Sequence, residues 1–430
     1  MTYSRSKTIF YILFLLIPII WWIVTNTNAW GADFYSQFSW WGRLSAIAAI
    51  GMFSGNLLLS GRHKVIDAWF QGLDRVYALH RQTGVAAWTL ITVHALYMGL
   101  RFVDLGWIYP YRVWFELPAA NLGLLLGRIG FLLFTGILLI TLFSKMKYET
   151  KKLLHMWLGF SLLLGSIHAL LISSFLADAF WLRNYLVLLV AVGTLSFIWR
   201  TVLGTWLVPT IKTTIQSITP ISKTTNHLVL SHQTQLSNWK PGQFAFIRIQ
   251  DPNWKYDDHP FSIIQDPNSK TLEFAIKAVG DFTTQLPNFK PNTPVLVEGP
   301  YGGFSYLNST NINQIWIAGG IGITPLLAMA RHLTSHTTNH NVHLYYSVTT
   351  KPEAIYLNEL EQLANNNPQF TFTLIESQIH GKLTTDQIID TLQSDYFICG
   401  PIPMINSLVS QLKKKGVPSS RIHFEKFKLF

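Results

Sequence analysis

Six apolar stretches, each close to the roughly 20 residues that a helix needs to cross a bilayer, fill the first half of this 430-residue chain. They fall near 8–26, 40–60, 78–101, 122–143, 153–175 and 181–203. A membrane permits few conformations, because every backbone N–H and C=O must be satisfied inside the span, so each stretch is expected to be a helix. Pro18, Gly51 and Gly159 lie within them and are tolerable there. The stretch Ile9–Val24 has no small-residue cleavage site behind it and further spans follow, so it reads as a retained helix, not a signal peptide.

The net charge of +11 would suit a nucleic-acid partner if it formed one patch. Its distribution argues for lipid instead. Arg5 and Lys7 precede span one, Arg62, Lys64, Arg75 and Arg81 fall between spans two and three, and Lys145, Lys147, Lys151 and Lys152 fall between four and five. The opposite loops hold Arg101, Arg112 and Arg183. A multi-pass protein of the cell (inner) membrane follows, with its N-terminus and everything after span six in the cytoplasm. His63, between Arg62 and Lys64, reads as a solvated loop residue. The one cysteine, Cys399, excludes an internal disulfide and a thiolate metal cluster.

After Leu207-Val208-Pro209 the pattern changes. His227–Ser231, Phe244–Ile249 and Leu272–Ala278 alternate as strands of a small antiparallel barrel that runs to about residue 306. From Gln314 the order becomes strand (Ile315–Ala318), glycine turn (Gly319–Gly322), helix (Pro325–Leu333) and strand (Val342–Ser347), a βαβ unit with a parallel sheet. The expected domains are therefore 1–210, 211–307 and 308–430.

Span three carries His80 near its cytoplasmic start and His94 further out; span five carries His155 and His168 in the same order. Both spans run outward, so the histidines match by depth, His80 with His155 and His94 with His168. Separations of 14 and 13 residues are about 21 and 20 Å of helix, room for two stacked porphyrins held between two helices. A proton path would use the same residues. At about 100° per residue, His94 returns close to the face of His80, but His168 lands about 140° from His155. Either span five is locally distorted or the two groups meet it from different sides. Arg43, near the outer end of span two, suits a haem propionate, an anionic product or the lipid headgroups.

In the second half, His259-Pro260-Phe261-Ser262 opens a strand and can lay backbone and hydroxyl along a flavin edge. Lys277 to Thr283, with Gly280, combine a cation, a glycine backbone and a hydroxyl suited to a pyrophosphate, or form a plain strand end and turn. Gly299-Pro300-Tyr301-Gly302-Gly303 is a tight turn. Gly319, Gly320, Gly322, Thr324 and Pro325 lie between strand and helix, where glycines allow close approach and the helix N-terminus favours phosphate. Cys399-Gly400-Pro401 follows the strand Tyr396–Ile398, at a sheet edge where ligands bind. Its thiol is either a nicotinamide contact or a small buried residue. Lys351 follows the second strand of this part with no acid behind that strand, which favours a 2′-phosphate. The chain ends Glu425-Lys426-Phe427-Lys428-Leu429-Phe430, where an aromatic can cover a flavin face.

Taken in this order, these segments resemble the ferric reductase and NADPH oxidase superfamily over nearly the whole chain. The resemblance implies a six-helix transmembrane haem domain followed by a ferredoxin-reductase-like module, an antiparallel FAD barrel with a Rossmann-like α/β nucleotide domain. It implies two haem b groups on His80, His94, His155 and His168, FAD on His259 to Ser262, Lys277 and Thr283, and NADPH (or NADH) on the Gly319 to Pro325 and Cys399 to Pro401 turns. Phe427 resembles the flavin-stacking aromatic, with Phe430 the other candidate. Arg43 matches an arginine that lines the outer oxygen site of animal oxidases, and Met98 replaces a histidine those enzymes carry there. A compact, constitutively active bacterial type is implied, with no obligate protein partner. The expected activity is electron transfer from cytosolic NAD(P)H through FAD and the haems to an external acceptor, oxygen giving superoxide or a ferric chelate. A proton-coupled carrier with a nucleotide-sensing domain is the reading from another class.

Overall fold

The computed structural model describes the chain apart from residues 1, 27–32, 117–120, 147, 173–175, 177, 232–238, 253, 255–257, 266–270, 389–392 and 426–430. It divides into two compact units. Ser6–Ile66 with Val76–Val208 form one; Asp67–Arg75 group with Pro209–Phe430 in the other, together with Met1–Arg5.

Among the described residues, six helices are long and apolar enough to cross a membrane: Ser6–Thr25, Phe34–Ser60, Leu73–Leu105, Leu122–Phe143, Thr150–Ile172 and Phe180–Val202. The second starts at Phe34 rather than near 40 because Asp33 caps it, its Oδ2 accepting from Ser36 N–H at 3.1 Å. Span two is the centre of the bundle: 67% of its apolar window is buried, against 17–28% in the others. It meets span six backbone to backbone, since a Cβ on Gly193 would stand 2.6 Å from Ser54 O. Phe53 of span two stacks on Phe134 of span four at 4.6 Å. Outward-facing apolar side chains such as Leu132 and Phe143 stay exposed, as lipid contact requires. His63 is not a plain solvated residue: it shares a 2.7 Å hydrogen bond with Ser196 Oγ.

Span five is broken. Its helix runs Tyr148–Met156, opens into a turn at Trp157 and resumes at Leu158–Ile172. Trp157 N–H reaches back three residues to Leu154 O at 3.0 Å, and Phe160 N–H to Trp157 O at 3.1 Å. A tighter turn advances more than about 100° per residue and so adds rotation between His155 and His168. Span five is thus locally distorted between the two histidines.

In the second unit, alternating apolar residues build an antiparallel six-stranded sheet, ordered β4-β3-β6-β1-β2-β5. The strands are β1 (Ile211–Ser222), β2 (Thr225–Ser231), β3 (Phe244–Ile249), β4 (His259–Ser262), β5 (Thr271–Lys277) and β6 (Pro294–Tyr301). Just past β4, Ile264 N–H donates to Glu273 O on β5 at 3.0 Å, which joins the two edges and closes the barrel. Ile215, Leu228, Ile247, Phe274 and Val297 fill it, all fully buried.

A parallel sheet follows, ordered β11-β10-β7-β8-β9: β7 (Asn313–Gly319), β8 (Asn341–Val348), β9 (Phe370–Glu376), β10 (Asp395–Cys399) and β11 (Ile422–Glu425). Both faces are covered, as a parallel sheet needs. Trp316, Ala318, Phe397 and Cys399 pack with Leu326 and Met329 of helix Ile323–Ser335; Ile315, Ile317 and Ile398 pack with Ile405 and Leu408 of helix Ile402–Lys414. The chain builds outward from β7 to β8 and β9, then crosses to β10 on the other side. That reversal leaves a crevice at the carboxyl ends of β7 and β10, where ligands of such sheets bind.

Candidate functional site

The first unit brings the four histidines together in pairs. The rings of His80 and His155 have centres 6.0 Å apart, and those of His94 and His168 6.1 Å apart. With metal–imidazole bonds of about 2 Å and a ring nitrogen roughly 1.1 Å from its ring centre, two imidazoles on opposite sides of one iron have centres about 6.2 Å apart. Three of the rings are also held by their other nitrogen. His80 Nδ1 bonds Asn56 O at 3.0 Å, His94 Nδ1 bonds Gly42 O at 2.8 Å and His168 Nδ1 bonds Gly123 O at 2.8 Å. A carbonyl only accepts, so each Nδ1 carries the hydrogen and each Nε2 keeps its lone pair. This is the arrangement found behind metal-ligating histidines. His155 Nδ1 has no hydrogen-bond partner among the described residues. The residues present therefore fit a bis-histidine haem at each pair.

Sequence reasoning missed the residues that support these rings. Asn56 accepts from His80 through its backbone and donates through Nδ2 to Thr83 Oγ1 at 3.0 Å and to His80 O. A lone asparagine inside an apolar span was the available signal. Gly127 makes room for His168, since a Cβ there would lie 2.5 Å from Nδ1. Arg128, also inside span four, donates to the carbonyls of Val113 at 2.9 Å, Arg112 at 2.6 Å and Glu116, at the end of helix Ile108–Phe115. Arg43 is exposed, next to Gly42. Met98 packs on Gly42: a Cβ there would meet its Cε at 2.3 Å.

In the second unit, the two glycine turns interlock at the switch point. β7 ends at Gly319, a short turn spans Gly320–Gly322, and helix Ile323–Ser335 begins, with Thr324 and Pro325 in its first turn. Gly320 has φ +53°, a left-handed conformation that favours glycine, and the space above its Cα is open. Gly322 packs on the other turn, where a Cβ would stand 2.3 Å from Cys399 O; Gly319 faces Met404 and Pro401, and Gly400 faces Gly319. The helix N-terminus therefore lies at the crevice, where its positive end favours phosphate, although the Ile323 N–H is already taken by Gly320 O.

β4 places His259, Pro260, Phe261 and Ser262 along one barrel edge, paired with β3. The Ser262 hydroxyl is buried with no hydrogen-bond partner among the described residues, an orphan that a flavin acceptor would satisfy. Phe282, unforeseen, stacks on the His259 ring at 3.8 Å and 12°. The Thr283 hydroxyl is engaged by the turn itself: it accepts from Val279 N–H at 2.9 Å and Gly280 N–H at 3.0 Å. It shapes the turn, while Lys277 and Gly280 stand exposed. Gly299 lies on β6, and Gly302 O just beyond it takes Gln243 Nε2 at 2.9 Å.

Cys399 is fully buried, and burial, with the Glu425 field added, pushes its thiol well above its usual range. Such burial keeps a thiol protonated. Glu425 sits beside it in register on β11, buried, with burial and the fields of Asp74 and Asp67 pushing its carboxyl well above the carboxylate range. Lys351 is exposed, and its N–H donates to Glu376 Oε2 at 2.7 Å. The acid absent after β8 therefore arrives from β9, which a linear reading could not see. Phe427 and Phe430 lie outside the described residues.

Three family models match the chain. A ferric reductase like transmembrane component covers residues 45–166, an FAD-binding domain 211–305 and an oxidoreductase NAD-binding domain 316–410. Among curated proteins, the reductase component of propane 2-monooxygenase from Rhodococcus jostii (strain RHA1) is 25% identical over 236 residues, 50% of this chain and 63% of that protein. The electron transfer component of anthranilate 1,2-dioxygenase from Acinetobacter baylyi is 28% identical over 233 residues, 50% of this chain and 67% of that protein. The chain thus spans about two thirds of these relatives. A flavohemoglobin from Malassezia yamatoensis, solved with FAD and heme, shares the fold at a TM-score of 0.52 and 16% identity, covering 92% of this chain and 99% of that one.

Proposed function

This chain has the ferric reductase and NADPH oxidase architecture, a ferric-reductase-like transmembrane component joined to FAD- and NAD-binding domains, and from that premise we propose that it is a flavocytochrome b that carries electrons from cytosolic NAD(P)H through FAD and two b-type haems to an external acceptor. The observation that carries this reading is the pair of histidine couples, 6.0 and 6.1 Å between ring centres, with three Nδ1 hydrogens committed to carbonyls. A proton relay has no need of two ring pairs each spaced to take one metal ion between them.

When bound, the flavin converts a hydride into single electrons and the haems relay them. The chain's own residues do the rest. His80 with His155, and His94 with His168, would each hold one haem iron, which would leave an acceptor to react at the haem edge. His259 to Ser262 would line the flavin, and the orphaned Ser262 hydroxyl would donate to it. The Gly320–Gly322 turn would hold the dinucleotide phosphates. Glu376 beside Lys351 offers an acceptor for a free ribose hydroxyl next to a cation for a 2′-phosphate, so both donors are accommodated, NADPH being the preferred one.

Oxygen, giving superoxide, is the proposed acceptor; Met98 supplies no ionisable group at the outer site, which favours a ferric chelate as the second reading. The purified protein given NADPH should reduce an external dye in a superoxide-dismutase-sensitive way. Dismutase-insensitive turnover with rapid Fe(III) reduction would replace the first reading with the second.

A further inference from the structure

One arginine ties the two halves of the second unit together. Arg331 lies on helix Ile323–Ser335, which opens from the Gly320–Gly322 turn. Its Nε and Nη2 form a fork on Glu359, at 2.6 and 2.9 Å. Glu359 belongs to the nucleotide side, on helix Leu357–Asn366. Nη1 crosses to the barrel, donating to Ile264 O at 2.8 Å and lying 3.8 Å from Glu273 Oε2. Ile264 is two residues past Ser262, and its own N–H closes the barrel onto Glu273. The same Oε2 lies 3.1 Å from His227 Nε2, and Oε1 accepts from Thr271 Oγ1 at 3.2 Å. Burial works to raise the Glu273 carboxyl, but His227 and Arg331 outweigh it and hold it below the usual carboxylate range, so it stays charged.

Tyr356 fills the remaining gap. Its ring stands edge-on to His227 at 6.3 Å and under the Arg331 guanidinium at 5.8 Å. It does so from φ +60°, a left-handed backbone conformation that disfavours tyrosine. The surrounding contacts hold it there. A cleft of about 490 Å³, lined in part by Gln265, Thr334 and Ser335, opens beside the clasp.

We propose that Arg331 is a positioning residue for hydride transfer. It locks the helix that carries the nucleotide turn onto the strand end that carries the flavin segment, and so fixes the distance between donor and acceptor. Interfaces between such modules are otherwise mobile, and a planar fork with one crossing arm resists both sliding and rotation. The step it serves breaks the nicotinamide C4–H bond, moves that hydrogen with its electron pair onto the flavin, and leaves NAD(P)⁺ and reduced flavin. The inference rests on the function proposed above.

Anaerobic stopped-flow bleaching of the flavin in the full-length, detergent-purified protein tests it. With Arg331→Gln, the limiting rate at saturating NADPH should fall about 10- to 100-fold, the cost of a small misplacement of reacting groups. The half-saturating NADPH concentration and the flavin content should stay near wild type. Arg331→Lys, which keeps the charge without the fork, should recover part of the rate. An unchanged limiting rate, or a loss seen only in half-saturation, overturns the proposal. Should Arg331→Gln lose its flavin, Glu359→Gln replaces it, and a wild-type limiting rate there overturns the proposal equally. Wild-type flavin that NADPH fails to bleach would instead sink the proposed function.

Discussion

Replacing His168 by alanine is expected to remove the outer haem and stop electron delivery to any external acceptor. His168 and His94 face each other at 6.1 Å, and each is held by a carbonyl through Nδ1. Without one of them a single axial ligand remains. Loss of a partner behind a metal ligand already costs roughly 10- to 100-fold in affinity or activity; loss of the ligand itself should exceed that. Haem per protein should drop by about half, and external reduction by more than about 100-fold. NADPH should still bleach the flavin, because the barrel and the nucleotide sheet are not touched. Retention of both haems together with wild-type external turnover would contradict the assignment of His168. The same change at His155 should remove the inner haem instead.

Gly322→Val should block the reaction at its opposite end. A Cβ at this position would lie 2.3 Å from Cys399 O and 2.5 Å from its carbonyl carbon, and backbone cannot yield as a side-chain tip can. Overpacking of this kind costs about 1–3 kcal/mol, and the two interlocked turns at the switch point must part. NADPH-driven flavin reduction should fall about 100-fold, as expected of a misplaced donor. Dithionite, which bypasses the nucleotide site, should still reduce the haems fully. A variant that keeps wild-type NADPH turnover would show that the turn does not hold the dinucleotide.

The six spans and the strand patterns were legible because hydropathy and alternation are local properties. β3 runs Phe244–Ile249, as its alternation indicates, and β7 carries its alternate residues to opposite covered faces. The histidine pairs were legible as well, since depth on parallel-running spans can be counted. Their rotation was not. The tightened turn at Trp157 lies in an apolar run with no proline to announce it. The supporting residues were hidden for a similar reason. Asn56 serves a histidine on the next span, and Gly127 matters for the ring that passes above it. Arg128 reaches back to carbonyls of a preceding helix.

In the second unit the glycine turns were found by composition, but their interlocking depends on the sheet order, which places β10 beside β7. Glu376 was invisible for the same cause: it ends β9, yet accepts from the Lys351 amide after β8. Thr283 carried a signal that fits two roles, phosphate contact and turn cap, and its contacts of 2.9 and 3.0 Å with the Val279 and Gly280 amides show the second. Cys399 likewise reads as contact or core, and full burial fixes it as an uncharged thiol.

The most direct measurement is the absorption spectrum of the purified protein, titrated anaerobically with NADPH alongside haem and flavin quantification. The account predicts two haems per FAD, low-spin spectra typical of iron held by two histidines, and reduction of flavin and both haems by NADPH alone. A preparation with bound flavin and no Soret band, or haems that dithionite reduces and NADPH does not, would contradict it.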